Sequence, residues 1–167
     1  RSASGGIALV VPATGGGHPT LWNPLGSGRV ISIKELELSW VSGNNAPGAV
    51  EWAITTDAGA AAATGAAIPT ATLVDPVNAV AGRGITTKKA LWSPTTNTFT
   101  AAPVFYRPAG ISLFTGIGAT AVAPFMLKVD YDGGLNIDPS TALSLCFQTT
   151  TTTALFQVGI LYEEIDE

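Results

Sequence analysis

Charge is scarce in this sequence. Of its 167 residues, 12% are charged and 46% are hydrophobic, where an ordinary soluble domain carries roughly 25% charged residues. Charged side chains keep a monomer's surface in water. A folded chain this poor in them is expected to hide surface against other copies or a larger body. Cysteine is scarcer still: the one thiol, Cys146, excludes an internal disulfide. His18 is the single histidine, so a Ser/His/Asp triad would have to use it, and no Gly-x-Ser-x-Gly elbow supplies a nucleophile. The eight basic residues are scattered and the formal net charge is -4. No basic stripe exists to neutralise phosphates, so nucleic-acid binding is not expected. No apolar run approaches the roughly 20 residues of a membrane-spanning helix, so no membrane partner is expected. Ile7–Val11 is too brief for a secretory signal and reads as a strand. The start at Arg1, without Met, is expected of a processed precursor or an expressed fragment.

What is present is a β pattern. The 19 Gly and 11 Pro leave no long helical window, and period-two alternation dominates. Leu21-Trp22-Asn23-Pro24-Leu25-Gly26-Ser27-Gly28 holds turn chemistry, Pro fixing φ and Gly free to take positive φ. A long strand follows over Arg29–Ser42. Ile31 and Ile33 share one parity, and Leu36, Leu38 and Trp40 the other. A β-bulge at Lys34-Glu35, or a strand that changes sheets there, would produce this flip. After the turn Gly43–Gly48, the strand Ala49–Thr55 aligns Val50, Trp52 and Ile54. Weaker strands are expected at Ala71–Val74, Ile85–Trp92, Thr98–Tyr106 and Ile111–Phe114. Then Phe125, Leu127, Val129 and Tyr131 alternate, Asp132-Gly133-Gly134 turns the chain, and Leu143, Leu145 and Phe147 form the next apolar row. Thr149–Thr153 joins that strand to Ala154–Tyr162 as an expected hairpin.

Short strands with turn signals about every 8–12 residues predict an all-β, antiparallel sandwich or barrel. The length suits one domain, large enough to bury about 70% of its unfolded surface without disulfide or metal. Two parts are expected to lie outside the sandwich body: a flexible N-terminal segment, about 1–19, and an Ala-rich loop, about 57–72. Neither shows a strong apolar face for its own core. The small side chains of Ala58–Ala67 bury little area. That stretch reads as a mobile surface loop, as an arm packed on a neighbouring subunit, or as a short helical turn opposed by Gly59 and Gly65.

The candidates for chemistry are few. His18 follows Gly15-Gly16-Gly17 in a loop. Cys146 has no adjacent cation or helix N-terminus to lower its thiol pKa, and its parity is opposite to that of Leu145 and Phe147. Asp130 and Asp132 offer hard oxygen ligands on a turn, but EF-hand spacing is missing. They also lie too close in sequence to flank a glycosidic bond from two sides. Trp22, Trp40, Trp52 and Trp92 are a conceivable sugar-stacking platform, though Trp40 and Trp52 share parity with apolar neighbours and read as core. Glu163-Glu164-Ile165-Asp166-Glu167 reads as a solubilising acidic end, with a charge-steered contact as the second reading. No catalytic, cofactor-binding or metal-ligating residue is assigned, and no enzyme activity is expected.

Two stretches resemble small virion proteins of tailed bacteriophages. One is Leu21–Gly28 with the long apolar strand behind it. The other runs from Leu135-Asn136-Ile137-Asp138-Pro139 through Leu143–Phe147 and the Thr loop to Phe156–Glu164. The resemblance implies a jelly-roll β-sandwich that assembles, as a homotrimer, on virion heads or tails. It implies a non-enzymatic capsid decoration (cement) protein that binds and stabilises the head shell, with the major capsid protein or other virion subunits as partners. The alternative is a tail or spike module that binds host-surface glycan through exposed aromatics. Ala58–Ala67 has no counterpart in the pattern.

Overall fold

In a computed structural model, the structure describes residues 2–3, 6–43, 48–56, 89–93, 96–99, 102–113, 126–149 and 154–167. These residues form strands and no helix. The strands are β1 (Ser2–Ala3), β2 (Gly15–Gly17), β3 (Thr20–Asn23), β4 (Arg29–Ser42), β5 (Gly48–Thr56), β6 (Leu91–Ser93), β7 (Thr96–Thr98), β8 (Val104–Leu113), β9 (Met126–Ile137), β10 (Thr141–Phe147) and β11 (Leu155–Asp166). One sheet has the order β1-β11-β4-β9, the other β6-β3-β10-β5-β8, and β2 pairs with β7 in a small ribbon. The pairings within the two main sheets are antiparallel.

The strand order identifies the architecture. Setting aside β2, β6 and β7, the first strand pairs with the last (β1 with β11), the second with the second-last (β3 with β10), then β4 with β9 and β5 with β8. A long antiparallel hairpin rolled onto itself gives that nesting, which is the jelly-roll β-sandwich. The connections therefore gather at two poles. One pole holds the β3–β4 turn, the β9–β10 turn, the end of β5 and the end of β11. The other holds the end of β4, the start of β5, the end of β10 and the start of β11.

Alternation explains the core. Ile31, Ile33, Leu36 and Leu38 of β4, with Phe156, Val158 and Ile160 of β11, are buried against Val50, Trp52, Leu143, Leu145 and Phe147 of the other sheet. Each such side chain contributes about 1.5–3 kcal/mol when fully buried. The parity flip at Lys34-Glu35 is a bulge: the β4–β9 register shifts between Ile33 and Glu35, and the β4–β11 register shifts between Leu161 and Tyr162. The strand stays in one sheet, and the extra residue turns both halves of its apolar row inward.

Several expectations are corrected. Asp132-Gly133-Gly134 is no turn but lies inside β9, opposite the β4 bulge, with Asp132 at φ 48° and Gly133 at φ 77°. The segments read as two strands, Thr98–Tyr106 and Ile111–Phe114, contribute to one strand, β8, which carries Arg107-Pro108-Ala109-Gly110 through two register shifts. β10 and β11 are not a hairpin, since they lie in different sheets. The acidic end is not a free tail but the last turn-free stretch of β11. The N-terminal segment does contribute to the core. Ser2-Ala3 pairs with β11, Ile7 bridges to Phe156, and Leu9 is fully buried. Ala58–Ala67 and Ala71–Val74 lie outside the described residues, as does Ile85–Lys88.

Candidate functional site

The sequence candidates fall in different surroundings. Thr20 pairs with Ser144, and the Leu145 amide donates to the Pro19 carbonyl at 2.9 Å. Continuing that ladder sets His18 across from Cys146, and Cys146 is in turn paired with Glu51 on β5. Residues distant in sequence thus share one row on the outward side of the five-stranded sheet. The row is not an activated thiol. Burial, with the Glu51 charge behind it, pushes the Cys146 thiol well above its ordinary range. The Nε2 of His18 lies 3.0 Å from the Val11 carbonyl, and Phe99 packs edge-on against the ring at 5.9 Å. His18 and Cys146 are both fully buried.

Asp130 and Asp132 do not converge. Asp130 lies on the outward face of the four-stranded sheet, where the Lys128 Nζ sits 2.6 Å from Glu35 and 3.6 Å from Asp130. The hydrogen bond to Glu35 leads the causes that hold the Lys128 ammonium above its usual range. No group of three or more His, Cys, Asp or Glu among the described residues is placed to hold a metal ion. The tryptophans form no platform. Trp52 and Trp92 are fully buried, Trp22 and Trp40 are half-buried, and the Trp40 indole donates to the Gly43 carbonyl.

The acidic end acts as a fastening. Glu163 pairs with Lys34, and Asp166 with Arg29. The Glu164 carboxylate accepts from the Lys89 amide at 2.9 and 3.0 Å and from the Ala90 amide at 2.9 Å. It thereby pins the approach to β6 against β11. Asn23 performs a similar task at the same pole, donating to the carbonyls of Arg29 and Ile137 at 2.7 and 2.9 Å.

Taking the surfaces in turn isolates one region. The outward face of the four-stranded sheet carries Glu35, Glu37, Lys128, Asp130 and Glu163, and its strands also expose Val41 and Met126. On the outward side of the five-stranded sheet Thr20, Ala53, Ala142, Ser144 and Cys146 are buried, while Glu51 and Thr55 are half-buried. One flank ends in the two- and three-residue strands β1 and β6. The other ends in the long strands β8 and β9. Edge strands are hazards that proteins guard with charge, bulges, proline or shortness. β9 carries Lys128, Asp130 and Asp132 and an irregular register against β4, with Met126 exposed at its start. Among the described residues, β8 is guarded in its second half, by Pro108 and its irregular register. Its first half, Val104-Phe105-Tyr106, is exposed.

Behind that rim the two sheets are tied together. The Trp52 indole donates to the Tyr131 hydroxyl at 2.8 Å, and Tyr131 donates to the Ala109 carbonyl at 2.6 Å. Burial raises the Tyr131 pKa, against the lowering effects of the Trp52 hydrogen bond and Arg107. The Arg107 guanidinium lies 5.9 Å from the Tyr131 ring centroid. Compared with family models, with curated proteins and with solved structures, the chain finds no match.

The rim and the Glu164 fastening were both missed in the sequence. A signal for the rim was available: Phe105 and Tyr106 are adjacent, and on a strand two neighbours cannot both face one core.

Proposed function

We propose that the protein is a non-enzymatic virion structural subunit: a capsid decoration protein that binds and stabilises the head shell as a homotrimer. The observation that carries this reading is the exposed apolar rim Val104-Phe105-Tyr106 on a charge-poor jelly roll. A body of this kind presents surface for assembly and little machinery for chemistry. The resemblance of Leu21–Gly28 and Leu135–Glu164 to small phage virion proteins supplies the direction from assembly to virion. On a particle, many modest contacts repeated by symmetry add to a firm attachment.

The second reading is a tail or spike module that binds glycan, and the exposed rings of Phe105 and Tyr106 are what favours it. Phage heads and tails, purified separately and mixed with the full chain, separate the two. Co-sedimentation with heads, and heads that survive heating better with the protein bound, are the expected results. Binding to tails alone, or to host-surface polysaccharide but not heads, overturns the decoration role.

A further inference from the structure

β6 and β7 are laid along the N-terminal strands as one edge. Leu91, Trp92 and Ser93 pair with Trp22, Leu21 and Thr20, and Thr96, Asn97 and Thr98 pair with Gly17, Gly16 and Gly15. The far end of this edge is tethered by Phe99. Its amide donates to the Thr14 carbonyl, and its ring packs against His18. The near end, at Lys89 and Ala90, is held by the Glu164 carboxylate.

The two ends are fastened by different means. At the far end, backbone meets backbone on the neighbouring strand. At the near end, a side chain of the opposite sheet does the work. Glu164 lies across from Ile31 on β4, and Ile31 is buried in the core. Residues directly opposite on paired strands point the same way, so Glu164 faces the other sheet at the pole where the sandwich ends. Its oxygens accept the consecutive amides of Lys89 and Ala90, just before β6. Its neighbours Glu163 and Asp166 are paired with Lys34 and Arg29 instead. β6 is the outer strand of its sheet. One carboxylate on β11 therefore closes the edge of the five-stranded sheet onto the four-stranded one.

We propose that Glu164 is the latch of a strap: Lys89–Ser93 opens and closes as a unit on an otherwise folded sandwich, and this carboxylate sets how often it opens. The strap is short, pairs with β3 alone, and lies at a sheet edge, which is where low-energy local openings are drawn from. Without the carboxylate the two amides lose their acceptor, and amides in that position turn to water. What then holds β6 is its three-residue pairing with β3 and the burial of Trp92. Opening turns Trp92 toward water and bares the main-chain edge of β3, the kind of edge that folded proteins keep covered. Glu164 thus guards an edge from across the sandwich. The inference goes beyond the assembly reading and does not depend on it.

Hydrogen exchange of the full chain in low urea tests this with no substitution at all. The amides of Lys89, Ala90 and β6 should exchange through an opening that depends weakly on urea. Those of β10 should follow the steeper slope of global unfolding. In Glu164→Ala the strap amides should keep the weak slope and lose about tenfold or more in protection. Glu164→Gln, which keeps one accepting oxygen, should fall between. Ser93→Cys supplies a second readout with an internal reference. Its thiol, buried in the closed strap, should be labelled faster than Cys146 of the same chain, and about tenfold faster again when Glu164→Ala is added. Strap amides that share the urea slope of β10 overturn the proposal, and so do two thiols labelled at one rate. Strap protection that is the same in Glu164→Ala as in the parent overturns the role of Glu164 as the latch.

Discussion

Cys146 is a packing residue with a measurable electrostatic signature. Its thiol is buried and, with Glu51 beside it, its folded pKa lies far above the ordinary value. An unfolded thiol ionises near pH 8.5. Stability from this group is therefore whole below that pH. It is lost as pH rises, because the unfolded chain releases a proton that the folded chain keeps. The slope approaches about 1.4 kcal/mol per pH unit for one group. Tyr131 has its folded pKa raised as well, chiefly by burial, and adds a second loss starting near pH 10. Cys146→Ala should flatten the stability curve between about pH 8.5 and 10, after a constant loss of about 1 kcal/mol from the missing sulfur. Urea midpoints measured across pH 7–11 read the effect directly. Parallel curves for parent and variant would show that the thiol is solvated in the folded protein. Glu51 points the same way on the acidic side: burial raises its pKa, so its ionised form weakens the fold at neutral pH.

Between strands, the contact that sets the shape of the exposed flank is the approach of β8 to β9. Gly110 has φ +85°, and a Cβ added there would meet Val129 Cγ1 at 3.2 Å. Gly110→Ala is expected to lose about 1–3 kcal/mol, from positive-φ strain and from the push on Val129. Gly26, at φ +72° with nothing within 4 Å, supplies the comparison in which strain acts alone. A double-mutant cycle of Gly110→Ala with Val129→Ala should show coupling; strict additivity would mean that the two edges do not touch. These elements also show what local pattern can and cannot reveal. The apolar rows of β4, β5, β10 and β11 were legible because each alternates with period two against a single core. The bulge of β4 was legible because it inverts a parity. β8 is not legible as one strand because it carries Pro108 and Gly110, which lie at the register shifts against β5 without ending the strand. The sheet membership of β10 and β11 was illegible for a different reason. A Thr-rich connection between two alternating strands has no local feature that separates a hairpin from a crossing between sheets. The pairing that decides it is with β3 and β4, more than a hundred residues earlier in sequence.

At the scale of the whole molecule, the jelly roll is closed by its first strand. β1 is two residues long, yet it and the Ile7–Phe156 bridge cover the outer edge of β11, while Leu9 fills the core. The Phe147 amide also donates to the Val10 carbonyl at 3.0 Å, so the segment reaches both sheets. An arm that orders only on docking would leave the sandwich intact when removed. Part of the fold would not. Removal of residues 1–9 should therefore cost more than Leu9→Ala, which itself is expected to cost about 2–5 kcal/mol as a buried Leu truncation. It should also expose the twelve-residue β11 as a free edge, which invites edge-to-edge aggregation. Thermal melts followed by circular dichroism, with light scattering alongside, would show a lower and less reversible transition for the truncated chain. Rim variants at Phe105 and Tyr106 would leave that transition in place and alter binding to heads instead. The two results together separate what folds the protein from what assembles it. A truncated chain that melts like the parent and associates less would return the N-terminal segment to the role of an assembly arm.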